Sequence, residues 1–203
     1  MKYLIIGHPR CGTGFMSKLF TKNNLEVGHE KMGANGTSDW QYAIQDAKCF
    51  PWTSGVRINY QFDKTIHNIR DPFTAIPSIV FTETPDFGEQ SWRTVSEQFR
   101  RKYVKFPDTN AFENAAHSFL GWNQIIENQN PDLTVRIEHA FEDLKELEVI
   151  TENLGDKKVN SRQHNDMTKS QWNQIPENII DMLEDFCTKY KYESLKKRLK
   201  KLQ

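Results

Sequence analysis

The feature that most narrows what this chain can fold into stands at its start. Tyr3-Leu4-Ile5-Ile6 is a short apolar run ended by Gly7, and the turn His8-Pro9-Arg10-Cys11-Gly12-Thr13-Gly14 follows it. From Thr13 to Asn23 the spacing becomes helical, with Phe15, Met16, Leu19 and Phe20 on one side. The apolar run reads as a buried strand. A strand, a glycine-containing turn and a helix form a corner whose leading backbone N–H groups have no partner inside the helix. The helix dipole there favours an anion. Gly12 and Gly14 allow close approach to the backbone, Thr13 adds a hydroxyl donor, and Arg10 adds a planar charged fork.

Residue type argues against two common owners of such a corner. Gly7-x4-Gly12 begins like the phosphate loop of ATP-dependent kinases, but Thr13-Gly14 stands where that loop needs Lys followed by Ser or Thr. Cys11 invites a phosphatase thiolate with an Arg six positions on, and that position is Ser17. A phosphate cradle that completes neither motif remains.

The rest of the chain alternates strand and helix signals. Leu25 to Gly28 reads as a second strand, and residues 30 to 62 as mostly loop with a helix near Trp40 to Ala47. Lys64 to Ile69 is a third strand. Asp71-Pro72 starts a helix carrying Phe73, Ile76 and Ile79, which Pro77 should shorten or kink. Residues 84 to 88 are a break, and helices are expected over Ser91–Val104 and Ala111–Asn128. Leu133 to Ile137 is a fourth strand, and Phe141 to Leu154 a helix capped by Gly155. After a polar loop from Val159 to Thr168, Pro176 opens a helix to about Tyr190, and Glu193 to Leu202 is a basic tail helix. The pattern predicts an α/β fold with a mainly parallel central sheet, in one domain over residues 1–203.

Composition removes further classes. Lys plus Arg and Asp plus Glu balance at 27 each, so bulk charge gives no reason to expect a nucleic acid partner. The opening apolar run is too short for a signal segment or a membrane span, and no later stretch reaches span length. Cys11, Cys49 and Cys187 are far apart and odd in number, so neither a disulfide framework nor a metal cluster is expected. A cytoplasmic protein without a bound metal is the expectation.

A second constellation lies at Ile66-His67-Asn68-Ile69-Arg70-Asp71-Pro72. It puts Arg70 at the carboxyl end of an inferred strand, the edge where open α/β sheets bind ligands. Ser78 follows eight residues later. His8-Pro9-Arg10-Cys11-Gly12-Thr13-Gly14-Phe15 resembles the 5′-phosphosulfate loop of the sulfotransferase family, with Arg10 at that loop's Lys position and Cys11 at its Ser position. Arg70-Asp71-Pro72 with Ser78 resembles the family's 3′-phosphate motif, including the spacing. Val135-Arg136-Ile137-Glu138 followed by Glu142-Asp143-Leu144 is similar to a looser form of its later Arg-Tyr-Glu-Asp-Leu segment. The order of the motifs also matches.

The resemblance implies a P-loop-like three-layer sandwich that binds 3′-phosphoadenosine 5′-phosphosulfate (PAPS). A sulfuryl group would pass to a hydroxyl or amine of a small-molecule, carbohydrate or lipid acceptor, without a metal. It gives the 5′-phosphosulfate to Arg10, Thr13 and the amides of Cys11 to Phe15, with Arg10 also stabilising the leaving phosphate. Arg70 and Ser78 would take the 3′-phosphate, with Arg162 a further candidate from the polar loop. For the base that activates the acceptor, Glu30 is expected first, His29 second and His67 third. A wall for the acceptor is expected from Trp40 or Trp52. Two other readings stay open: a P-loop-like nucleotide or small-molecule kinase, with Asp71 or Glu138 as the strand-end acid, and a non-catalytic nucleotide-binding protein.

Overall fold

Tyr3 to Ile6 are each at most 1% exposed, which fits a strand covered on both faces and explains its continuous apolar run. The computed structural model describes residues 1–46, 56–83, 91–107, 109–154 and 164–202. They fall into two compact units, Met1–Arg70 with Asn123–Ser161, and Asp71–Trp122 with Arg162–Gln203.

The first unit is α/β. Its sheet contains β1 (Tyr3–Gly7), β2 (Gly28–His29), β3 (Gly36–Ser38), β4 (Lys64–Ile69) and β5 (Leu133–Arg136), in the order β2-β3-β1-β4-β5. Every neighbouring pair is parallel, so all carboxyl ends share one edge. Tyr3 and Ile5 of β1 pack with Ile66 and Val135 against Met16, Leu19 and Phe20 of α1 (Thr13–Lys22). Ala140 of the short helix α5 (Ala140–Asp143) joins them.

Three expectations are corrected here. The second strand forms at Gly28–His29 rather than Leu25–Gly28, because Leu25 and Val27 are used to seal the end of α1. The Leu25 amide bonds the Phe20 carbonyl, and the Ser17 hydroxyl bonds that of Val27. Strand β3 was hidden in the glycine-rich segment. Gly36, at φ 114°, lies so close to β1 that a Cβ would stand 1.9 Å from the Tyr3 carbonyl oxygen. The glycine marks a close backbone approach within a sheet rather than a loop. Finally, Phe141 to Leu154 is not one helix. After α5 comes a 3-10 turn at Lys145–Leu147, and Glu148 breaks the path at φ 54°. The helical spacing of Phe141, Leu144, Leu147, Ile150 and Leu154 still serves one purpose, since all join the same core. Gly155 lies outside the described residues.

The second unit, among the described residues, is helical: α2 (Pro72–Glu83), α3 (Ser91–Arg101), α4 (Ala111–Glu127, of which residues to Trp122 belong here), α6 (Lys169–Trp172), α7 (Glu177–Lys189) and α8 (Leu195–Lys201). Helix α2 runs through Pro77 rather than stopping there. Its apolar flank, with Ala75, Ile76, Ile79 and Val80 all at most 1% exposed, outweighs the one lost backbone hydrogen bond. Helix α6 was not foreseen, although Thr168 and Gln171 form a capping box that announces it. Within this unit Phe119 meets Phe186 edge-on at 4.9 Å, and Phe73 stacks on Trp172. No described helix is long and apolar enough to cross a membrane.

Candidate functional site

The turn after β1 is built from its own backbone. The Cys11 amide donates to the His8 carbonyl at 2.8 Å, and the Arg10 amide reaches His8 Nδ1 at 3.4 Å, with the His8 ring fully buried. Gly12 sits in the left-handed region at φ 88° and ends the turn as the N-cap of α1. No side chain caps that helix, and its first hydrogen bond back to the turn is Met16 N–H to the Gly12 carbonyl at 3.0 Å. The amides from Gly12 to Phe15 are therefore the open donors of a helix N-terminus. Ile137 packs under Gly12, where a Cβ would come within 2.7 Å of its Cγ1.

Strand β4 holds the turn from beside. Asn68, opposite Gly7 in register, is fully buried and donates from Nδ2 to the Cys11 carbonyl at 2.6 Å. Arg70 Nη1 donates to the Arg10 carbonyl at 3.1 Å. Both side chains thus brace the turn through its carbonyls, while the Arg10 and Cys11 amides turn back onto His8. Burial pushes the Cys11 thiol up to about 12, and the nearby Arg70 and Arg10 charges only partly oppose it. Cys11 therefore stays a neutral thiol, and its amide and carbonyl are engaged by His8 and Asn68.

The carboxyl ends of β2 and β3 supply the groups on the other flank. Thr13 Oγ1 and His29 Nε2 lie 3.3 Å apart, and Ser38 Oγ donates to the Thr13 carbonyl at 2.8 Å. Burial lowers the His29 pKa, with the Glu30 charge acting the other way, so the ring is neutral near pH 7. Glu30, at φ 52°, receives the Trp40 indole N–H on Oε1 at 3.2 Å. Trp40 is 5% exposed, so it holds Glu30 and offers little surface as a pocket wall.

Asp39 is the group that sequence reasoning missed. It directly follows β3, is fully buried, and accepts the Gln41 amide on Oδ1 at 2.9 Å as the N-cap of a 3-10 turn over Trp40–Ala43. Its Oδ2 has no hydrogen-bond partner among the described residues. Burial raises its pKa to about 7, a rise the Gln41 bond opposes and the Glu30 charge reinforces. The signal was an Asp directly after two small polar residues, Thr37 and Ser38; it was obscured because β3 was read as loop.

The remaining candidates separate. His67 is a buried core histidine, with Nε2 2.8 Å from Asn123 Oδ1. Arg136 of the third motif is committed to Asp143 through Nε at 3.0 Å and Nη2 at 2.7 Å, so that pair joins β5 to α5. Ser78 belongs to the second unit, where it is 1% exposed and its carbonyl accepts the Thr82 hydroxyl. Asp71 also belongs there. Its carboxylate caps α2 through the Phe73 amide and holds Arg198 at 2.5 and 2.8 Å. Arg162 and Trp52 lie outside the described residues, as does Cys49. No group of metal-ligating side chains occurs among the described residues.

No family model, curated protein or solved structure matches the chain.

Proposed function

We propose that this protein is a PAPS-dependent sulfotransferase with the three-layer sandwich of that family. One observation carries the reading. The uncapped amides at the start of α1 stand beside Arg10, while Arg70 and Asn68 hold the carbonyls of Arg10 and Cys11. Such a corner suits a phosphosulfate, an anion of two linked tetrahedral groups that needs many donors and no metal.

In this reading the acceptor oxygen attacks sulfur, the bond from sulfur to the bridging phosphate oxygen breaks, and adenosine 3′,5′-bisphosphate leaves. Arg10 carries the charge that develops on that oxygen. Its guanidinium stays protonated, so it acts as a fixed charge rather than a proton donor. The acceptor proton goes to Glu30 or His29. Glu30 has its Oε2 unengaged among the described residues, and His29 is neutral and aimed at Thr13. Arg70 takes the 3′-phosphate; Ser78 is given that role by the spacing of the motif.

A kinase is the second reading, and Asp39 is the observation that favours it, as a strand-end acid beside the loop. It draws less support. Its carboxyl is buried, gives one oxygen to the Gln41 amide, and keeps its proton up to about pH 7, which makes it a weak magnesium ligand. The chain also has no loop Lys for the phosphates.

Thermal stabilisation separates the readings. Adenosine 3′,5′-bisphosphate should raise the melting temperature more than ATP with magnesium does. The reverse order would favour the kinase. Transfer of labelled sulfate from PAPS to an acceptor panel then distinguishes an enzyme from a nucleotide-binding protein.

A further inference from the structure

Far from the phosphate-loop edge, the first unit contains an open cavity of about 250 Å3, lined by Gln45, Arg57, Ile58, Tyr60, Phe62 and Thr65. Thr65 pairs with Leu4, three residues before Asn68 along β4, so this cavity belongs to the amino half of the sheet. That offset is about 10 Å along the strand.

Arg57 decides what the cavity can take. It is half-buried, and Nη1 is its bonding nitrogen, donating to the Tyr42 carbonyl at 2.8 Å and to the Gln129 side-chain oxygen. Both acceptors are neutral. Gln129 is fixed to receive that bond, because its Nε2 donates to the carbonyls of Ala43 and Ile125. No carboxylate pairs with Arg57 among the described residues, and burial alone lowers its pKa. A guanidinium held through Nη1 keeps the edge formed by Nε and Nη2, which is the edge that meets a carboxylate with two parallel bonds. A partly desolvated charge without a counter-ion is costly, and a bound anion would offset that cost.

The surroundings narrow the anion. Tyr60 and Phe62 present rings 6.5 Å apart, backed by Tyr42 at 6.3 and 6.5 Å. Ile58 is 71% exposed at the rim, an unusual position for a large aliphatic side chain. The Gln45 amide and the Thr65 hydroxyl make no side-chain hydrogen bond among the described residues, so each can meet a polar atom of a ligand. A single cation among aromatic and aliphatic groups suits a monoanion with a flat apolar body better than a phosphate dianion. The volume is below the ~300–1,000 Å3 of sites that take drug-sized molecules. We propose that this cavity binds a small aromatic or cyclic monocarboxylic acid, with its carboxylate on Arg57 and its ring against Tyr60 and Phe62.

The test is a titration of the 15N-labelled full chain with benzoate, benzamide and inorganic phosphate, followed by amide shifts. Benzoate should shift the amides of residues 57–65 saturably and leave those of residues 10–15 unmoved. Benzamide, lacking the charge, should bind at least about tenfold more weakly, and Arg57→Gln should cost benzoate a similar factor. Because Arg57 also braces the Tyr42 carbonyl, Ile58→Glu is the second variant. It changes an exposed rim residue, should leave the melting temperature alone, and should weaken benzoate by placing a like charge beside it. Unsaturable shifts, equal binding of benzamide, tighter binding of phosphate, or benzoate affinity unmoved in Ile58→Glu would each overturn the proposal. Adenosine 3′,5′-bisphosphate titrated into the same samples reports on residues 10–15, so failure at either site is read independently.

Discussion

Arg70 and Asp71 are neighbours in the chain but members of different units, and they do opposite kinds of work. Arg70 braces the turn after β1 by donating to the Arg10 carbonyl. Asp71 is consumed by its own unit: it caps α2 and is gripped by Arg198, whose guanidinium also lies 4.6 Å over the Phe73 ring. Three consecutive residues read from sequence as one binding motif therefore divide into a half that braces the open helix start and a half that holds α2. A polar group that is fully satisfied inside the protein has little left to give a ligand, whereas an open helix start has several donors to give.

The largest expected effect tests the open half. Arg10→Ala should cut sulfuryl transfer from PAPS by about 100- to 1,000-fold, the usual cost of losing one preorganised charge-stabilising donor. The melting temperature should stay near that of the wild type. Turnover close to normal would remove Arg10 from the chemistry.

Next comes the closed half. Arg198→Ala leaves the Asp71 carboxylate, whose side chain is 14% exposed, without its guanidinium. Denaturant unfolding should show a loss of about 3 kcal/mol. Affinity for adenosine 3′,5′-bisphosphate, measured on folded protein, should be unchanged. A binding loss larger than the stability loss would mean that the motif is not divided after all.

Gly12→Ala should cost about 1–2 kcal/mol for the left-handed backbone alone. Its Cβ also meets Ile137, so Ile137→Ala in the same chain should restore only part of the loss. Full restoration would show that packing, not φ, sets the requirement for glycine.

The last effect is spread over a pH range as a slope. Asp39 has a folded pKa near 7, above its ordinary value, so between about pH 4 and pH 7 the folded state holds a proton that the unfolded state has released. Stability from this group is present at low pH and is lost as pH rises towards 7, by at most ~1.4 kcal/mol per pH unit. Asp39→Asn should flatten that part of the stability curve, and an unchanged slope would mean that the carboxyl ionises normally.

The sequence reading succeeded where one local pattern had one physical meaning. The run Tyr3 to Ile6 and the stretch Lys64 to Ile69 with its Ile66 and Ile69 are strands as expected, because a short apolar run bounded by turns has few other uses. The loop from His8 to Gly14 was legible for the same reason. It failed where a pattern had two meanings. Gly36 signalled a loop but served a close approach to Tyr3, which hid β3 and with it Asp39. The spacing from Phe141 to Leu154 signalled a helix but served burial along a broken path. The pairings Arg136–Asp143 and Asp71–Arg198 could not be read at all, because which charges satisfy one another is decided by packing rather than by spacing.

Cys11 gives the loop a built-in clock. Its sulfur is fully buried with a pKa pushed up to about 12, so alkylating reagents meet neither the thiolate nor an exposed atom while the turn is closed. Modification at this position therefore counts the moments when the turn comes away from β4, and a ligand seated on its amides would slow that count in proportion to how tightly it holds the corner shut.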